Sequence, residues 1–144
     1  MAISLVDSGT VEYPSGGTSG SFTLSLSPAT FVVGDVLVVS VTTTSGATTS
    51  VTAPSGAVTV FAPAAGPDGV NGGVYVYPIP GPTKPGSVTW TWPSAQRGTL
   101  AWVLLRGVNT TTPVDASGVG AWSADYTTAW TAPSYSTVTD GAYL

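Results

Sequence analysis

The stretch that most constrains this chain is Gly86–Val108, GSVTWTWPSAQRGTLAWVLLRGV, which carries three of the five tryptophans. Val88, Trp90 and Trp92 alternate with Thr89 and Thr91, so every second side chain falls on one face of a strand. Pro93-Ser94-Ala95-Gln96-Arg97-Gly98 supplies turn chemistry. Thr99–Leu105 then follows as a strand apolar on both faces, with Leu100, Trp102 and Leu104 on one and Ala101, Val103 and Leu105 on the other. Such a strand needs cover on both sides, which suits the middle of a sheet in a sandwich. The expectation is a hairpin whose tryptophans are core.

The rest of the chain repeats the period-2 pattern. Phe22, Leu24 and Leu26 alternate with Thr23 and Ser25; Leu37, Val39 and Val41 share one face of Val36–Thr43; Val58–Ala62 and Val74–Tyr77 are further short strands. Pro67–Gly73 is a turn-rich connection, and the four prolines of Pro78–Gly86 exclude a central strand there. No window shows a helical apolar period, and 18 Gly and 12 Pro punctuate the strands. The reading is all-β: an antiparallel β-sandwich, jelly-roll-like. Residues 1–16 read as an N-terminal arm or edge strand, and residues 17–144 as the sandwich. Asp140-Gly141-Ala142-Tyr143-Leu144 looks like a strand cut short, so a C-terminal portion is expected beyond it.

Charge narrows function. Only 7% of residues are charged, the net charge is −4, and the three cations, Lys84, Arg97 and Arg106, are scattered. Nucleic-acid binding needs a basic footprint, so no nucleic-acid partner is expected. The apolar run Ala101–Leu105 is too short to span a bilayer, so no membrane partner is expected either. Met1-Ala2-Ile3-Ser4 lacks the positive and apolar regions of a secretory signal, so if the protein works outside a cell, release by lysis or within a particle is the expectation.

Catalysis finds few residues to use. With no His and no Cys, the usual general base, the readiest nucleophile and thiolate metal ligands are missing. The acids Asp7, Glu12, Asp35, Asp68, Asp115, Asp125 and Asp140 mostly sit beside Gly, Pro or Ser, where Asp bonds its own turn backbone. Asp68 and Asn71 offer oxygens to a calcium ion, but one carboxylate and one amide are thin, their spacing matches no EF-hand, and the turn reading is preferred. The expectation is no enzyme, no cofactor and no metal.

Gly34-Asp35-Val36-Leu37-Val38-Val39, Ala53-Pro54-Ser55-Gly56, the Val74–Tyr77 strand and Val88-Thr89-Trp90-Thr91-Trp92 form one series. Arg106-Gly107-Val108-Asn109, Pro113-Val114-Asp115, Thr131-Ala132-Pro133-Ser134 and Thr139-Asp140-Gly141-Ala142 continue it. As a set, over residues 34–144, they resemble a β-sandwich domain that recurs in surface proteins of tailed bacteriophages, as tail or capsid appendages, and in some bacterial extracellular proteins. The resemblance implies a structural or binding role at a virion surface and carries no catalytic residues. Its partners would be other virion proteins and copies of the chain itself.

Two groups of residues are the candidate partner interface. Ile3, Leu5 and Val6 have no obvious place in the sandwich and suit an arm that adds a strand to a partner's sheet. Trp122, Tyr126 and Trp130 are spaced by four in an irregular segment, where aromatics suit interface anchoring. A carbohydrate-binding module that stacks such rings on a host surface glycan is the alternative from another functional class.

Overall fold

The computed structural model describes residues 2–13, 20–44, 50–65, 70–93 and 97–114. Seven strands lie in these residues: β1 Ser4–Tyr13, β2 Ser21–Ser25, β3 Val36–Thr44, β4 Val58–Ala65, β5 Val70–Pro78, β6 Ser87–Thr91 and β7 Arg97–Arg106. They form a five-stranded sheet in the order β1-β7-β3-β5-β4 and a two-stranded sheet, β2-β6; every pairing is antiparallel. The fold is all-β and sandwich-like.

Register explains the core. On the inner face of the large sheet, Leu37 stands between Leu104 and Tyr77, and Val39 between Trp102 and Tyr75. Val41, next along β3, lies beside Leu100. From the small sheet, Phe22 pairs with Trp90 and Leu24 with Val88. These side chains join in one buried cluster that spans both sheets. Each fully buried apolar side chain of this size contributes about 1.5–3 kcal/mol relative to exposure.

Gly86–Val108 is not a hairpin. Its two strands sit in different sheets, β6 against β2 and β7 between β1 and β3. Alternation fixes which side chains share a face and leaves open which strand is the neighbour. After β6, Trp92 donates its amide to the Gly20 carbonyl at 2.7 Å, and Thr52 and Thr91 form an antiparallel bridge. The chain therefore stays with the small sheet until Pro93 withdraws a donor. Trp90 and Trp92 enter the core from one sheet and Trp102 from the other. Trp102 is only partly buried, at the flank of the cluster, which also departs from the core reading.

The outer face of the large sheet is apolar as well. Val36 and Val76 there are 1% and 5% exposed but lie outside the core cluster, and Ala101, Val103 and Leu105 beside them are half-buried. The β4–β5 hairpin is longer than the sequence suggests. Asn71 and Gly72 pair with Ala65 and Ala64, so the glycine-rich stretch expected as a turn is partly ladder.

Candidate functional site

The two edges of the large sheet are built differently. β4 carries Pro63 and two register irregularities, between Thr59 and Phe61 and between Phe61 and Ala64. Bulges and proline are devices that keep a second strand from pairing with an edge. β1 has one irregularity, between Leu5 and Asp7, and from Asp7 to Tyr13 it follows β7 residue for residue. Among the described residues nothing pairs with the far side of β1, and residues 7–13 contain neither Pro nor Lys. An edge of this kind can accept a strand through main-chain hydrogen bonds.

Three features seat β1. Val6 packs against the core cluster. The Trp102 indole lies over Gly9, the residue opposite it, and a Cβ there would stand 2.9 Å from Trp102 Cζ2. At the strand's start, Gly107 turns with φ +86, and a Cβ on it would stand 2.6 Å from the Ala2 carbonyl oxygen. Only glycine meets both conditions at 107.

The expected interface residues divide accordingly. Ile3 is half-buried, Leu5 is 62% exposed, and Val6 is turned into the core. Residues 4–13, expected as an arm or an edge strand, are the edge strand of this chain's own sheet. Trp122, Tyr126 and Trp130 lie outside the described residues, as do Asp68, Asp115, Asp125 and Asp140.

A second constellation joins segments that sequence spacing does not connect. Asp35, 1% exposed, accepts two hydrogen bonds from Arg106, Nε to Oδ1 and Nη2 to Oδ2, each at 2.8 Å. The hydrogen bond to Asp35, helped by the carboxylate's charge, holds the guanidinium above its ordinary pKa against a smaller desolvation effect. Asp35 Oδ2 also accepts the Val32 amide, the turn role expected for this acid. Arg106 Nη2 reaches the Thr30 carbonyl, and Lys84 Nζ donates to the carbonyls of Pro28 and Phe31. Two of the chain's three cations thus pin the loop between β2 and β3. Val32 and Val33, 41% and 45% exposed, stand on the fixed loop, over a buried Phe31. Asp35 and Arg106 stand 71 residues apart in the chain. Nothing in the sequence linked them.

Among the described residues no group of three His, Cys, Asp or Glu could hold a metal ion. No family model, curated protein or solved structure matches the chain.

Proposed function

We propose that this chain is a non-enzymatic structural domain of a bacteriophage virion surface, a capsid decoration or tail appendage, docked through its N-terminal strand. The observation that carries the reading is the outer edge of β1, which is regular over seven residues and unpaired among the described residues. The resemblance of residues 34–144 to phage surface domains supports the setting.

The way of docking follows from the edge. A strand already paired along β7 does not leave to complete a partner's sheet; it accepts a strand from the partner. Main-chain bonding gives affinity there, and the exposed Leu5 adds apolar contact at one end. Arg106–Asp35 and Lys84 hold the loop between β2 and β3, so that end of the domain meets a partner with little ordering cost. The carbohydrate-binding alternative rests on Trp122, Tyr126 and Trp130, outside the described residues; the described tryptophans add nothing to it, since Trp90 and Trp92 are buried and Trp102 is packed against Gly9 and Phe31.

Purified virions test the reading directly. Mass spectrometry should find the chain in stoichiometric amount, and a particle reconstruction should place β1 at the contact. A chain missing from particles, or attached by a surface remote from β1, would contradict it.

A further inference from the structure

We infer that the β1 edge selects a partner strand carrying Lys or Arg and disfavours a second copy of itself. The inference rests on the docking role of β1 proposed above and names the chemistry of what docks there.

β1 carries two carboxylates and no cation. Asp7 lies opposite Leu104, on the inner face of the sheet, and Glu12 opposite Thr99, on the outer face. Asp7 Oδ1 accepts the amide of Ser8 at 2.8 Å, and among the described residues Oδ2 takes no hydrogen bond. Among the described residues neither acid has an ion-pair partner: the salt bridge there is Arg106–Asp35, Lys84 donates to backbone carbonyls, and Arg97 forms no salt bridge with either. The two negative charges thus stand on an edge that is unpaired among the described residues, five residues apart and on opposite faces.

Charges on an edge strand discriminate between partners as well as block them. A second copy pairing antiparallel through β1 would bring four carboxylates onto one short ladder with no cation among them, on chains that each carry a net charge of −4. Like charges close across strands are destabilising. A strand with a cation opposite Glu12 and another five residues along, opposite Asp7, meets one carboxylate on each face. The bulge between Leu5 and Asp7 breaks the register of the edge, so the regular stretch that a partner strand can follow is residues 7–13.

The probe is a blocked eight-residue peptide of alternating Thr and Val with Lys at its second and seventh positions, compared with its Glu counterpart. Titrated by NMR into the full chain at low salt, the Lys peptide should shift the amides of residues 7–12 and bind about tenfold tighter than the Glu peptide. The preference should shrink at high salt. N-methylation of one alternate set of peptide amides should abolish binding and of the other set leave it. The double variant Asp7→Lys with Glu12→Lys should invert the preference. Equal binding of both peptides would overturn the charge selection and leave strand docking standing. No shift at β1 with either peptide at a few millimolar, or a dimer of the free chain built through β1, would overturn the inference. Whether the chain is found on virions is decided separately, so loss of the virion reading and loss of this one are distinguishable.

Discussion

Trp102 stands where a side chain on Gly9 would have to go. The two residues face each other across β1 and β7, and the indole fills the gap so closely that a Cβ on residue 9 would lie 2.9 Å from Cζ2. The same indole meets the Phe31 ring at 5.4 Å between centroids. One missing side chain therefore lets one aromatic ring couple the edge strand to the loop before β3.

Gly9→Val should push the indole off β1 and cost about 1–3 kcal/mol, with Gly9→Ala costing less. Denaturant melts read the stability and tryptophan emission reads the ring's new surroundings. Wild-type values for both in Gly9→Val would mean that the ring moves freely and does not seat the strand.

The tryptophans should separate on truncation. Trp90, with no exposed surface, should cost about 3–5 kcal/mol on mutation to Ala. Trp102→Ala should cost clearly less, because that ring is only partly buried. Equal losses in denaturant melts would contradict the different positions of the two rings.

Much of the fold was legible because burial imposes a period. Phe22/Leu24, Leu37/Val39/Val41 and Val88/Trp90 alternate as they do because one face of each strand meets the core. Partner choice left no such trace. Thr91 and Thr99 are separated by a turn-like sequence, yet β6 pairs with β2, and the bond from Trp92 to Gly20 continues that pairing, in a different sheet from β7. The edge strand was half legible: the apolar residues at 3–6 marked the N-terminus as special. The β1 edge, unpaired among the described residues, and the Asp35–Arg106 clamp depend on contacts distant in sequence.

Arg106→Ala should destabilise the fold more than Asp35→Ala. Loss of Arg106 leaves a carboxylate that is 1% exposed without its cation, whereas loss of Asp35 leaves a guanidinium that is 46% exposed and free to hydrate. Asp35→Ala should cost on the order of 1–3 kcal/mol. The double variant should be no worse than Arg106→Ala alone. A reversed order in chemical melts would show that the carboxylate is stable without its partner.

Tyr75 sets an alkaline limit. Burial pushes its phenol up to about 12 from 10.0, and among the described residues its hydroxyl finds no hydrogen-bond partner. Below pH 10 both states keep the proton. Between pH 10 and 12 the unfolded chain ionises Tyr75 while the fold holds it neutral, so stability should fall by up to about 3 kcal/mol. Tyr75→Phe should remove this part of the loss and be neutral or slightly stabilising at pH 7, since an unpartnered polar group is deleted. The same alkaline slope in wild type and Tyr75→Phe would contradict the shift.

The docking role of β1 is tested most directly by amide hydrogen exchange at residues 7–13, compared between the free chain and intact virions. Shortening the N-terminus is a poorer test, because Val6 and Gly9 are packed into the fold. A strand added to the outer edge should slow exchange at alternate residues of β1 on the particle, while the amides that already bond β7 change little. Unchanged exchange along β1, with new protection on another surface of the particle-bound chain, would contradict docking through this edge.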